Sequence, residues 1–184
     1  MPDRLWFTDD EDACELLARD PLALLVGFAL DQQVTVQKAF AGPLELQRRL
    51  GRFDAETLAT VDLDPVFRQK PAIHRFPGAM AERVRELAAH LVERYDGDAA
   101  AVWESARSPE ELKANLAALP GFGEMKIKST AAVLAKRFGV EIAATLAPSH
   151  PTLGDVDSPQ ALEDYQAAKR AHKAEWMAAR ARGA

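Results

Sequence analysis

The chain has 184 residues, of which 48% are hydrophobic, and a formal net charge of −5; that length suits one domain, or two small lobes sharing a core. Its 11 prolines and 10 glycines are spread out, so no long stretch reads as disordered, and its one cysteine, Cys14, excludes an internal disulfide and any four-cysteine metal centre. No apolar run approaches the ~20 residues of a membrane span, and Met1-Pro2-Asp3-Arg4 does not open a signal peptide, so a cytoplasmic location is expected.

Residues 8–19 read as a short acidic helix with Thr8 as its cap and Cys14, Leu16 and Leu17 turned inward. Asp20-Pro21 opens the next helix, with Asp20 as cap. Leu22 to Leu30 is apolar nearly all round, which marks a central buried helix. Asp31-Gln32-Gln33 interrupts the run, and Val34 to Phe40 resumes a helix. Gly42-Pro43 is expected to bend the chain before a further helix, Leu44 to Leu50, that ends at Gly51. Residues 54–61 make a short capped helix. Residues 62–77, with Pro65, Pro71 and Pro77, read as irregular. Inside them His74, Arg75 and Phe76 form an unusual cluster: Arg75 suits a phosphate, His74 or Phe76 suits stacking on a base, and Phe76 equally suits a core plug. Met80 to Val92 has helical apolar spacing. Tyr95 to Asp98 ends that helix and caps another over 99–106.

Ser108-Pro109-Glu110-Glu111 is a helix start, with Ser108 as cap, Pro109 at the first helical position and Glu111 completing a capping box. Leu112, Leu116 and Leu119 follow at helical spacing. A second helix carries Ile127, Ala131, Leu134 and Phe138 on one face and stops at Gly139. Between them lies Leu119-Pro120-Gly121-Phe122-Gly123, a turn with a glycine at each end. Free N–H groups at a helix N-terminus attract anions, and Lys126 and Lys128 follow at once. Such a hairpin, spanning 109–138, suits a phosphate of a nucleic-acid backbone. Val140 to Thr145 is ambiguous, Pro148, Pro151 and Gly154 mark a loop, and a last helix, 158–180, carries Leu162, Tyr165, Ala168, His172 and Trp176 on one face. It is expected to pack back on the N-terminal helix 8–19.

The charge is unevenly placed. Residues 1–20 hold seven acids and two arginines, so the rest of the chain sums to zero. Residues 120–140 hold four cations against one anion, and residues 166–184 hold five against one. Phosphate binding depends on where charge sits, and a footprint this small implies weak, salt-sensitive binding. The C-terminal cations equally describe a solvated helix face.

Leu-Pro-Gly-Phe-Gly between two helices resembles the helix-hairpin-helix of the base-excision DNA glycosylases, the superfamily of endonuclease III and the alkylation-repair glycosylases. Leu30 to Ala39 resembles it too, as an apolar helix followed by glutamines and a small or β-branched segment ending in Lys-Ala. The loop with His74 to Phe76 is a weaker third likeness. The resemblance covers roughly residues 21–139. It implies an all-α, two-lobed helical bundle over 1–184, without an iron–sulfur cluster, binding duplex DNA. No cofactor is implied, although a monovalent cation at the hairpin would be in keeping with the family. Gly121, Phe122, Gly123, Lys126 and Lys128 would hold the backbone, with Arg75 on a phosphate. An enzyme that extrudes a base must fill the gap it leaves, and Gln32 and Gln33 are the candidates; as plain structure, their amides would instead satisfy backbone groups at the helix break.

Two departures limit the transfer. The family's essential Asp stands at the start of the helix after the hairpin unit, where it stabilises the charge that builds on the sugar. Here Ile142, Ala143 and Ala144 fill that place. Asp155 and Asp157 follow a longer loop and are the candidate carboxylates, with Glu141 behind them; Asp157-Ser158-Pro159 also reads as an ordinary cap. The strand-cutting lysine of the family falls at Met125, and Lys126 is turned about 100° from it, so no lyase step is expected. The reading is a monofunctional DNA N-glycosylase. Its rivals are a DNA damage- or structure-binding protein that keeps the fold without the chemistry and, from the acidic N-terminus alone, a protein-interaction domain.

Overall fold

The Asp20 carboxylate accepts the Leu22 N–H at 2.9 Å and Pro21 takes the first helical position, so α2 (Pro21–Leu30) begins where the sequence places it. In the computed structural model, which describes residues 1–183, Leu22 to Leu30 are all buried. Each fully buried Leu or Phe contributes roughly 1.5–3 kcal/mol, which makes α2 the centre of the fold. α1 (Glu11–Arg19) and α3 (Val36–Leu50) pack against it, as does α6 (Pro77–Tyr95).

Helices α2 and α3 meet through two reciprocal small-for-large contacts. Gly27 of α2 leaves no room for a Cβ because the Phe40 ring of α3 lies on it, and Gly42 of α3 is occupied in the same way by Leu30 of α2. Phe40 also stacks edge-on with Phe7 and with Phe28, each at 5.1 Å between ring centres. This packing explains a difference from the sequence reading. Gly42-Pro43 does not separate two helices: α3 runs on through Pro43, which is itself buried. A proline inside a helix costs about 3 kcal/mol, and the tight seam on α2 offsets it.

Residues 62–77 are less irregular than expected. They contain a short helix, α5 (Asp64–Arg68), after α4 (Ala55–Thr60), and both pack on α6. Arg49 of α3 donates to the carbonyls of Val66, Gln69 and Pro71 at 2.8, 2.8 and 2.6 Å, and Lys38 donates to Ala72 O at 2.6 Å. The loop up to His74 is thereby fixed to α3. At the N-terminus, Asp10 rather than Thr8 caps α1, and buried Thr8 offers its carbonyl to the Cys14 thiol at 3.2 Å.

The second half opens with α7 (Ala101–Glu104), shorter than expected, and α8 (Pro109–Ala117), capped by Ser108 through the Glu111 N–H at 3.1 Å. Glu111 reaches back one residue further than a capping box requires, to the Arg107 N–H at 2.7 Å. α9 (Glu124–Phe138) follows and ends at Gly139 with φ 68°, as its sequence requires. Two 3-10 turns, Glu141–Ala143 and Leu153–Asp155, lie on α9. α10 (Pro159–Arg182) starts on the second of them, while α1 packs on α2 and α3, so the terminal helices do not find their main partners in each other. The expected inward face of α10 also stops early. Leu162 is buried and Tyr165 partly so, but Ala167 to Gly183 are all exposed, including Ala168, His172 and Trp176. One hydrophobic cluster runs through both halves, from Leu5 to Leu162. All regular structure among the described residues is helical, and none of those helices is long and apolar enough to cross a membrane.

Candidate nucleic-acid interface

The turn between α8 and α9 is built as the sequence implies. Phe122 plugs it into the core, and its N–H returns to Leu119 O at 3.1 Å. Gly121 needs its lack of a side chain twice over: its φ is +78°, and a Cβ there would run into the guanidinium of Arg83 from α6. Gly123 is extended, with open space around it. As N-cap of α9 it has no side chain to offer, so the first N–H groups of that helix take no side-chain cap. Exposed Lys128 leans on Glu124 at 3.6 Å, a pairing of little energetic weight at the surface.

Lys126 turns the other way, toward α2. Its Nζ donates to Ala29 O at 3.3 Å, at the carbonyl end of α2 where the helix dipole favours a cation. Burial pushes its ammonium below the ordinary lysine value, and Asp31 acts against that. From the opposite side the buried His74 ring meets the same helix end, with Nε2 3.0 Å from Leu30 O. Its Nδ1 accepts the Phe76 N–H at 3.0 Å, so the ring proton sits on Nε2 and is donated to Leu30. Burial lowers the His74 pKa, in keeping with a neutral ring. His74 is thus the plug of its loop, and Phe76, the residue expected in that role, is 40% exposed. Exposed Arg75 lies 5.3 Å from the Phe76 ring centre.

Between these two anchors the chain breaks out of α2 as Asp31-Gln32-Gln33. The Gln32 N–H closes a tight turn on Leu30 O at 2.7 Å, and Gln33 adopts φ +56°, unusual for a residue with a side chain. Both glutamines are exposed, and neither amide side chain bonds to any described residue. The backbone-satisfying role is therefore absent. Gln32, Gln33, Lys126 and the loop of Arg75 and Phe76 are brought together at the end of α2.

The carboxylates are placed elsewhere. Asp155 completes a capping box on the second 3-10 turn, taking the Thr152 N–H at 2.8 Å and the Lys136 ammonium at 2.6 Å. Lys136 and the Thr152 bonds hold its carboxyl below the usual range despite partial burial. Lys136 lies ten residues beyond Lys126, or ~15 Å along α9, so Asp155 sits toward the opposite end of that helix from the hairpin turn. Gly154 packs on Ala132 O of α9, which fixes the turn there. Asp157 is exposed on the same segment, and Ser158, not Asp157, caps α10 through the Ala161 N–H at 3.1 Å. Ala143 is fully buried in the first 3-10 turn, with Glu141 exposed beside it. Met125, where the resemblance would put a strand-cutting lysine, is 81% exposed.

Sequence reasoning passes over three groups here. Arg83 comes from a helix remote in sequence, and no local pattern announces it. The charge of Lys169 on α10 acts on Asp31, and that of Asp31 on Tyr165, and α10 is tied to α3 by paired amides, Gln37 Nε2 to Gln166 Oε1 at 2.8 Å. Asp31 enters the sequence reading only as the first residue of the break after the apolar helix. Among the described residues no three His, Cys, Asp or Glu side chains cluster in a metal-binding arrangement.

No family model, curated protein or solved structure matches the chain.

Proposed function

We propose that the chain is a DNA-binding base-excision protein with the two-lobed helix-hairpin-helix glycosylase architecture, and that it releases a damaged base from duplex DNA by hydrolysis without cutting the strand. The observation that carries this reading is the Gln32–Gln33 pair. Two exposed glutamines with uncommitted amides stand at a strained break, beside a hairpin whose first-turn lysine is bonded to the same helix end. A polar planar side chain held there suits insertion into an opened base stack. The uncapped start of α9, with Gly121, Phe122 and Gly123 before it, suits a backbone phosphate, and Arg75 and Lys128 suit flanking ones. The two lobes of the reading are α1 to α6 on one side and α7 to α9 with the 3-10 turns on the other, and the candidate groove is where Lys126 reaches across to Ala29.

A second reading, a DNA damage- or structure-binding protein without chemistry, is favoured by one observation: buried Ala143 where the resemblance implies the essential carboxylate. Base release from duplexes carrying alkylated, deaminated and oxidised bases separates the two. Release from any lesion supports the enzyme. No release from any of them, with duplex affinity retained, selects the binder. Asp155→Asn and Asp157→Asn belong beside the wild type in that assay, because loss of release in either would identify its carboxylate.

A further inference from the structure

We propose that Asp31 is the catalytic carboxylate of this chain. The inference rests on the glycosylase reading above and supplies the group that reading lacks. Asp31 is the C-cap residue of α2 and immediately precedes Gln32 and Gln33. It is partly buried, yet its carboxylate accepts no hydrogen bond and forms no ion pair within 4.0 Å among the described residues. Its part in the fold is played by its backbone, whose N–H reaches Phe28 O at 3.2 Å. Other partly buried carboxylates are put to use: Asp20 and Asp54 accept the backbone N–H groups of Leu22 and Thr57. The Asp31 carboxylate makes no such bond, so no hydrogen bond of the fold depends on it.

Lys126, from the first turn of α9, bonds Ala29 O two residues before Asp31, and the charge of Asp31 acts on Tyr165, as those of Lys126 and of Lys169 on α10 act on Asp31. The neutral His74 ring lies behind it on Leu30. Burial raises the Asp31 carboxyl above the ordinary aspartate value, and the two ammonium groups oppose that rise. A carboxylate so poised is a better proton acceptor than an exposed one, and in a partly dry site it stabilises positive charge on a sugar more strongly than in water. The step balances as follows. The C1′–N bond breaks and its electron pair leaves with the base. A water oxygen bonds C1′, and the proton released by that water passes to Asp31. A base made cationic by alkylation departs neutral, and a neutral base departs with a proton taken from solvent.

The test measures single-turnover base release, duplex affinity and thermal melting for the full chain as wild type, Asp31→Asn and Asp31→Glu. In Asp31→Asn, release falls at least ~100-fold, the scale of removing one electrostatic stabiliser, while duplex affinity stays within about threefold of wild type and melting temperature does not fall. Asp31→Glu recovers part of the rate. Release by Asp31→Asn at the wild-type rate overturns the inference and leaves the glycosylase reading intact. No release by the wild type from any lesion overturns that reading first, and this inference with it. The wild-type pH profile gives an independent check if the asparagine variant does not fold. Release falls as Asp31 is protonated on the acid side. A rate flat down to pH about 4, the ordinary aspartate range, overturns the inference.

Discussion

The imidazole Nε2 of His74 lies 3.0 Å from the carbonyl oxygen of Leu30, forty-four residues earlier, and this bond closes one side of the break that displays Gln32 and Gln33. Lys126 closes the other side through Ala29. A helix end normally leaves its last carbonyls to water or to a local cap. Here two distant side chains take them, which fixes the direction in which the chain leaves α2.

His74→Ala removes the ring's bond to the Leu30 carbonyl, which keeps the Gln32 N–H, and deprives the Phe76 N–H of its acceptor, and a loss of about 1–3 kcal/mol is expected in urea unfolding. The pH dependence has a defined sign. Burial lowers the His74 pKa in the folded state, so the unfolded chain binds the proton more readily. Stability from the neutral ring is full above the unfolded value of about 6.5 and is lost as pH falls below it. The alanine variant flattens that slope without abolishing it, since burial lowers His90 in the same direction.

The two hairpin glycines should separate stability from binding. Gly121→Ala forces a side chain into the left-handed region and against Arg83, for a cost of about 1–2 kcal/mol. Gly123 is extended with open space around it, so Gly123→Ala melts close to wild type. Its methyl nevertheless stands at the uncapped start of α9, and duplex affinity drops several-fold. Unchanged affinity in Gly123→Ala, measured by fluorescence anisotropy, would show that this turn does not meet the backbone.

Gln32→Ala with Gln33→Ala removes no hydrogen bond from the fold, so its effect on stability stays within about 0.5 kcal/mol. Base release is expected to fall at least tenfold, with a smaller loss in affinity for undamaged duplex. Equal release by the double variant would sink the wedge role of both amides.

No covalent DNA adduct should be trapped by borohydride. Met125 carries no amine, and the Lys126 Nζ is bonded to Ala29 O. Burial lowers the Lys126 pKa, which favours amine nucleophiles in general, so this lysine is the one whose adduct would refute the expectation.

Much of the fold was legible because its signals are local. Asp20-Pro21, Ser108-Pro109 and Gly139 act within one turn of themselves, and each delimits a helix where its chemistry demands. The apolar run 22–30 could only be buried. Where the outcome depends on a distant partner, the pattern misleads. Pro43 stays inside α3 because α2 lies against it, Phe76 gives its place in the core to His74, and the apolar spacing of α10 continues past the point where there is anything to pack against. The candidate site divides in the same way. The hairpin residues announce themselves by spacing, whereas Asp31 gains meaning only when Lys126 and Tyr165 arrive from elsewhere in the chain.

The paired notches of α2 and α3 have a bearing on inheritance. Gly27 holds Phe40 and Gly42 holds Leu30, so neither helix can slide along the other by a turn without a clash at both ends. Any descendant that enlarges Gly27 must shrink position 40, and any that enlarges Gly42 must shrink position 30. These four positions should therefore drift as two coupled couples. While they hold, Asp31, Gln32 and Gln33 stay at one fixed height along α3, however freely the surface around them changes.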